Sequence, residues 1–495
     1  MNYYLAIDQG THASRAILYN ETGQLISSQV EPVSLSRLEN GHIEQNALEI
    51  VHSVKKALKT LLKGLETDIQ KNIKACGIAC QRSTVVACNP QGLPLSPAIS
   101  WQDVRGDSYL NPLPLTAERV QQTSGLPLSP HYAASKCRWL LDHHPQVKKT
   151  PIDHLYLAPL SSFLLLHLVQ SSPFVIDHSH AQRMQLMDIK TLDWSDELIH
   201  AFGIPRRCLP VCKPMCDDYG LLLDTKIPIT AMCGDQNAAL FGSGGLTHET
   251  ALINLGSGAF VLRKLTTFKK SKRLLSGIAY STPKSSTTEY LREGTINGCG
   301  NALSWYQQQL DTEGSADVNN WRDQLPLWLT EIDNPPLFIN SVGGLGSPWW
   351  SNQIEPHFIP QQDINESISE NISAKSVAII ESIVFLIQDN LNLMTQEHPI
   401  TLLKLSGGLS QLDGLCQKMA NLSQIPVQRL VDKETTARGV AWLASGKNTA
   451  WPIADDGCLE SIFEPTFEPI KDMGLDNRYQ QFQHQLSRLL ELAAP

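Results

Sequence analysis

A fold of two α/β domains is what this chain predicts, and three observations carry it. An apolar strand, Tyr4-Leu-Ala-Ile7, runs into Asp8-Gln-Gly-Thr11 and out again into Ala16-Ile-Leu-Tyr19. The same order of strand, glycine turn and strand returns near the middle, at 250–255, Gly256-Ser-Gly258 and 259–262. Around both, strand-like apolar runs alternate with segments of helical period, the pattern of mixed α/β layers. At 495 residues the chain exceeds what one core organises, so two or three domains are expected.

The elements follow in order. Asn20-Glu-Thr-Gly23 supplies turn chemistry before Leu25-Ile26, so the opening reads as a β-hairpin with a polar loop at its tip. Residues 46–62 form an amphipathic helix, with Ala47, Ile50, Val51, Val54, Leu58, Leu61 and Leu62 on one stripe and lysines opposite. Residues 73–80 read as a buried strand that leads into Gln81-Arg82-Ser83-Thr84. Another helix begins at 136–143, and Thr-Leu-Asp-Trp-Ser-Asp-Glu-Leu at 191–198 carries a cap signal before one more. The segment with His178 and His180 alternates like a strand, and 227–232 is a strand running into Gly234-Asp235-Gln236. Beyond the repeated turn, 376–394 is helical, 402–405 is a strand, and Gly407-Gly408 opens the next helix. Residues 427–430 and 435–444 complete a strand–helix pair. Domains 1–243 and 244–495 are expected, with the boundary near 242–245, and the polar stretches 361–373 and 447–457 read as surface loops.

Composition narrows the class. Hydrophobic residues make up 42% and charged residues 18%, which predicts large cores and excludes global disorder. The net charge of −9 and the lack of a strong basic run argue against nucleic acid or an anionic membrane as partner. The apolar stretch 163–169 is too short to span a bilayer and contains His167. Met1 leads straight into the first strand, so no signal peptide and a cytoplasmic setting are expected. Among the cysteines, Cys76 and Cys80 share one face of a strand, and Pro210 and Pro214 interrupt any helix that would align Cys208, Cys212 and Cys216. They read as buried thiols, without a second cluster at zinc spacing.

Two strand–glycine turn–strand units point to a duplicated domain gripping one polyphosphate. Backbone amides of the turns form an anion nest, and Asp8 beside them can hold a cation, directly or through water. That chemistry suits ATP. Neither common nucleotide fingerprint is present: Gly446-Lys447 lacks the preceding glycine and following hydroxyl of a Walker A loop, and no dinucleotide motif follows the first strand.

An ordered set of short motifs is far more specific than any one of them. It comprises Asp8-Gln-Gly-Thr-His-Ala-Ser-Arg15, Gln81-Arg82, Trp101-Gln102, residues 136–142 and Asp177-His-Ser-His-Ala-Gln-Arg183. It continues with Gly234-Asp-Gln-Asn-Ala-Ala-Leu-Phe-Gly242, Gly256-Ser-Gly258, Gly344-Leu-Gly-Ser-Pro-Trp349, Glu381-Ser-Ile383 and Ser406-Gly-Gly408. On these motifs the chain resembles the FGGY family of carbohydrate kinases over nearly its whole length. The resemblance implies two ribonuclease-H-like domains of the actin and sugar-kinase type with a cleft between them. It also implies Asp235 as the general base for a substrate hydroxyl, Asp8 as the Mg²⁺ residue, and Gly10, Thr11, Gly256 and Ser257 as phosphate contacts. Gly407 and Gly408 would approach the adenosine, with Asp413 nearby. Arg82, Trp101, Asp235 and Gln236 would wall the acceptor pocket.

Plainer roles stand beside these: a helix cap for Asp235, core packing for Trp101, and for Asp103 either a sugar hydroxyl contact or a cap of the next helix. The chain also departs from the family's glycerol-phosphorylating members. Ser83 replaces a glutamate, His131 falls where they carry a tyrosine (Tyr132 is adjacent), and Ile354-Glu355 replaces an arginine and a glycine. Unmatched buried polar groups discriminate between substrates by factors of ~10⁴, so a ketose or polyol is favoured over glycerol as acceptor. Glycerol is the alternative within the same chemistry, and a nucleotide-binding regulatory protein with a degenerate sugar site is the alternative outside it. The expected partners are ATP, Mg²⁺ and a small sugar or polyol, with a homo-oligomer compatible.

Overall fold

The computed structural model describes residues 1–244, 246–283, 288–313, 321–359, 371–430, 434–446 and 463–493. Two compact units interleave along the chain. Met1–Gly245, Thr266–Leu291 and Glu434–Ala454 form the first, and Leu246–Leu265, Arg292–Lys433 and Asp455–Pro495 the second. A single cut near residue 243 therefore leaves two segments of unit 1 on its far side. Of the expected loops, 361–370 and 447–457 lie outside the described residues, as does Gly245. Ile372 and Ser373 belong to a helix, Ile372–Glu397, whose cap Asn371 accepts from the Ser373 N–H at 3.2 Å.

Unit 1 is built on a sheet in the order Leu25–Pro32, Ala13–Asn20, Tyr3–Gln9, Ile73–Cys80, Ile229–Gly234. The first three strands form an antiparallel meander, one strand more than the hairpin expected, and the last three are parallel. Period-two alternation sorts the parallel strands between two buried faces. Leu5, Ile7, Cys76, Ile78, Cys80 and Met232 pack with the helices Ala47–Gly64 and Leu160–Leu168. The other face presents Ala6, Ala75, Ala79, Ala231 and Cys233 to the helix Thr435–Ala444.

Small residues let that helix come close. A Cβ on Gly77 would lie 2.3 Å from the Val440 carbonyl oxygen. Between the helices Asp235–Gly242 and Thr435–Ala444 the fit is tighter still: a Cβ on Gly439 would sit 1.8 Å from the Ala238 carbonyl oxygen, and one on Gly242 1.8 Å from that of Thr435. Burial of the thiols pushes Cys76 and Cys80 well above the ordinary range, so they act as small apolar side chains.

In unit 2 the strands Ala259–Leu265, Thr250–Leu255, Leu402–Ser406, Val427–Leu430 and Phe463–Phe467 are neighbours in that order. An antiparallel pair around a glycine turn again feeds parallel strands, so the duplication is visible in strand pairing. The helix Ile372–Glu397 forms much of this core. By length and composition it could cross a membrane, unlike 163–169, but 89% of its most apolar window is buried inside the protein. It also carries Glu381, which accepts from Arg478 at 2.7 and 2.9 Å and from Lys418 at 2.9 Å.

Candidate active site

Register brings three strand ends of unit 1 into line. Asp8 pairs with Ala79, while Gln9 and Gly234 both pair with Cys80. The chain leaving these ends carries Gln81, Arg82 and Asp235, at the carboxyl edge of a parallel sheet where α/β folds place their ligands. Arg82 Nε stands 3.5 Å from Asp235 Oδ1, and its Nη1 donates to Asn237 Oδ1 at 3.5 Å. Arg82 reaches there because Gly234 has no side chain; a Cβ on Gly234 would meet Arg82 Cδ at 2.5 Å. Gly234 itself takes the N-cap position, and Asp235 is the first residue of the helix. Its carboxylate accepts the Gln236 N–H at 2.8 Å, and its side chain is 28% exposed. Gln236 is buried, its amide 3.5 Å from the other Asp235 oxygen.

Asp8 is 6% exposed and accepts from Arg15 Nη1 at 3.4 Å. Burial, opposed by Arg15 and reinforced by Glu434 and Asp235, pushes its carboxyl up to about 7. Arg15 Nε lies 3.5 Å from Glu434, so one guanidinium faces two carboxylates while a third raises the local negative potential. Glu434 had no sequence signal, for it lies more than 400 residues from Asp8. Thr11 Oγ1 donates to Gln81 at 3.3 Å and accepts from Trp101 Nε1 at 3.0 Å. Trp101 is half-buried and held by a polar contact at its indole edge. The Thr11 carbonyl accepts from Gln45, which in turn accepts from Gln81 at 2.9 Å.

Ser83, Trp101 and His131 are drawn together by a residue that sequence reasoning gave no role. Lys136 is fully buried, and its ammonium donates to the carbonyls of His131 (2.8 Å), Ser100 (2.9 Å), Ser83 (3.3 Å) and Trp101 (3.3 Å). Burial pushes it down to about 7. Its signal was available: Lys136 falls on the same helical stripe as Ala133, Cys137 and Leu140. His131 Nδ1 lies 3.3 Å from the Trp101 carbonyl, and burial followed by Lys136 holds the ring below its ordinary range. Ser83 adopts φ 64° and donates to the Arg183 carbonyl at 3.4 Å. Tyr132 is buried, with the Arg183 guanidinium 6.0 Å over its ring.

Asp103 takes neither expected role. Its enclosed carboxylate accepts the Ile43 N–H at 2.6 Å and three N–H groups of Arg105 at 2.7–2.9 Å, leaving nothing for a sugar. The two histidines are also corrected. Asp177 caps a short helix, His178–Arg183, so His178 and His180 are not in a strand.

In unit 2 the parallel strands Thr250–Leu255 and Leu402–Ser406 end side by side, with Asn254 opposite Ser406. The turns Gly256–Gly258 and Gly407-Gly408 are thus adjacent. Gly407 has φ 92° and a Cβ there would strike the Leu255 carbonyl, so the fold itself demands glycine. At Gly10, Gly256 and Gly408 a Cβ would meet nothing closer than 3.5 Å. Their own chain leaves that space clear. Ser257 accepts the Asn301 N–H at its carbonyl, 2.9 Å, which ties the turn to the start of the helix Gly300–Glu313. Asp413 is paired with Arg429 at the start of the helix Asp413–Ser423 and is otherwise exposed.

The family model for the N-terminal domain of the FGGY family of carbohydrate kinases matches residues 3–242, and that for the C-terminal domain matches residues 251–446. The chain belongs to the FGGY family of carbohydrate kinases. It is an ATP-dependent phosphotransferase with an alcohol group of a sugar or polyol as acceptor, in the two-domain actin and ribonuclease-H-like fold. A glycerol kinase of Mycoplasma mycoides subsp. mycoides SC is 30% identical over 482 residues, covering 94% of this chain and 92% of that kinase. Among solved structures, Plasmodium falciparum glycerol kinase with ADP superposes with a TM-score of 0.83 at 23% identity, covering 100% of this chain and 99% of the other. A gluconate kinase from Lactobacillus acidophilus gives 0.83 at 18% identity, covering 100% and 98%.

Proposed function

We propose that this FGGY kinase transfers the γ-phosphoryl of ATP to a hydroxyl of a small ketose or polyol, with Asp235 as general base. The observation that carries the reading is the Asp235 carboxylate, relieved of the cap position, partly exposed at a strand end and oriented by Arg82. Asp235 takes the hydroxyl proton as the oxygen forms its bond to phosphorus, and the bond to the ADP oxygen breaks in line. Arg82, Trp101 and Gln236 are the proposed pocket walls, with Ser83, His131 and Tyr132 setting which hydroxyls are matched. Asp103 is not among them.

The residues fit a magnesium ion. Asp8 is a buried carboxylate raised to about 7 in company with Glu434 and Asp235, and a cation there offsets that repulsion. Asp8 would hold it, and magnesium supplies charge neutralisation to the polyphosphate. Gly10 and Thr11 are proposed as phosphate contacts, as are Gly256 and Ser257, while Gly407 and Gly408 are proposed to approach the adenosine, with Asp413 near the base. A cytoplasmic setting is part of the proposal.

Glycerol as acceptor is the second reading, favoured by the name of the relative 30% identical to this chain. The test is ADP release from Mg·ATP with glycerol, erythritol, ribitol, ribulose, xylulose and gluconate. A ketose or longer polyol turned over best supports the first reading, and glycerol turned over best replaces it with the second. A flat panel with intact ATP binding would favour a degenerate sugar site.

A further inference from the structure

The strand that delivers Arg82 and the strand that delivers Asp235 are joined by three polar residues linked through consecutive hydrogen bonds. His180 is 2% exposed; its Nε2 lies 3.1 Å from the Cys80 carbonyl oxygen, two residues before Arg82. Its Nδ1 makes a short hydrogen bond with Asp177 Oδ2. The other Asp177 oxygen accepts the Ser179 hydroxyl and the Ser179 N–H at 2.9 Å. Ser179 Oγ then accepts the Gly234 N–H at 2.8 Å, one residue before Asp235. Every member is buried, and the chain of bonds runs unbroken from one strand end to the other. Both ring nitrogens face oxygen acceptors, and the link contains the buried His180–Asp177 pair. Burial works against the Asp177 carboxylate, but His180 and the hydrogen bonds overcome it and hold it below the usual range.

We propose that His180, Asp177 and Ser179 are positioning residues that fix the separation of Arg82 and Asp235 by clamping the Cys80 and Gly234 strand ends. The inference rests on the assignment of Asp235 as base. Arg82 Nε and Asp235 Oδ1 are 3.5 Å apart, at the margin of contact, so a shift of the strand ends of a few tenths of an ångström decides whether the pair orients the carboxylate. Misplacement of a reacting group by about 1 Å costs on the order of a hundredfold in rate. A surface or purely packing role predicts no such effect on the chemical step.

The experiment compares His180→Asn, which keeps one donor, His180→Leu, which keeps none, and Ser179→Ala, which cuts the Gly234 contact. Turnover is expressed per ATP-binding site, so that unfolded protein does not count. The expected result is a fall in kcat of roughly ten- to a hundredfold in His180→Leu and Ser179→Ala. His180→Asn should fall between these and wild type, and KM for ATP should stay within about twofold. Unchanged kcat per site in the folded variants, or an equal rise in KM with kcat intact, overturns the clamp. If all three fail to fold, ¹⁵N-histidine spectra of the wild-type protein at neutral pH decide: a buried ring protonated on both nitrogens supports the ion pair, and its absence removes it. Asp235→Asn, measured alongside, separates the two readings. If that variant retains wild-type turnover, the base assignment falls, whatever the clamp variants do.

Discussion

Asp235→Asn should abolish phosphoryl transfer while ATP binding, measured by calorimetry, stays within a few-fold, because an amide cannot take the hydroxyl proton and the nucleotide contacts lie elsewhere. Asp8 makes a separate prediction through pH. Its folded carboxyl is raised from 3.8 to about 7, so the folded state binds the extra proton between those values. Stability from this group is therefore intact below about pH 4 and declines as pH rises toward 7, and the loss persists above it. In magnesium-free buffer at pH 8, Asp8→Asn should raise the denaturation midpoint. Added Mg²⁺ should stabilise the wild type and leave the variant unmoved; a midpoint that falls in Asp8→Asn would contradict the buried-charge account. At this scale the sequence was legible where chemistry is local. Asp8 and Asp235 stood out beside glycines at strand ends, and Arg82 just past the end of another strand. Glu434, Gln45 and Lys136 did not, since their importance comes from neighbours far along the chain. Asp103 misled because an acid after a tryptophan looks available until Arg105 is seen to enclose it.

Among elements, the helix of period 3.6 was read almost to its ends: 46–62 expected, Ala47–Gly64 observed, with Asn46 as cap. The long helix, expected over 376–394, runs from Ile372 to Glu397, and at its start the Asn371 cap begins it earlier than the apolar run suggests. His178–Arg183 was missed for a physical reason: the alternation of His178 and His180 about Ser179 mimics a strand, while the Asp177 cap turns the chain into a helix. The close approach of Asp235–Gly242 to Thr435–Ala444 was illegible in sequence, where Gly439 is one glycine among 31. It predicts that Gly439→Ala, whose Cβ would lie 1.8 Å from a backbone oxygen, destabilises by about 3 kcal/mol or more. Urea unfolding checks it, and a midpoint equal to wild type would mean that the helices separate freely. A matched Gly408→Ala, where a Cβ meets nothing within 4 Å, should leave stability unchanged and weaken ATP binding.

For the whole molecule, family membership and fold were legible because the ordered motifs span both halves, whereas the interleaving of the units was not. Residues 266–291 and 434–454 join unit 1 across long stretches of chain, and no local period records that. A chain ending at residue 243 should accordingly fail to fold: without Thr435–Ala444, the sheet face of Ala6, Ala75, Ala79 and Ala231 has no cover. Circular dichroism and solubility of that piece test it, and a cooperative, soluble domain would count against the division. Acceptor choice also belongs to this scale, since Ser83 and His131 come from separate segments held by Lys136. Ser83→Glu with His131→Tyr should shift relative kcat/KM toward glycerol; an unchanged ratio would remove these positions from the pocket.

The helix Thr435–Ala444 has one more consequence, and it concerns birth rather than function. Translation delivers the last strand of the first sheet, Ile229–Gly234, some 200 residues before the helix that covers it. At roughly 5–20 residues per second, the ribosome leaves that alanine-lined face bare for ~10–40 s. Throughout that interval the nascent sheet is exposed to other polypeptides. Expression yield of this enzyme should therefore depend on holdase chaperones and improve when elongation downstream of residue 234 is accelerated.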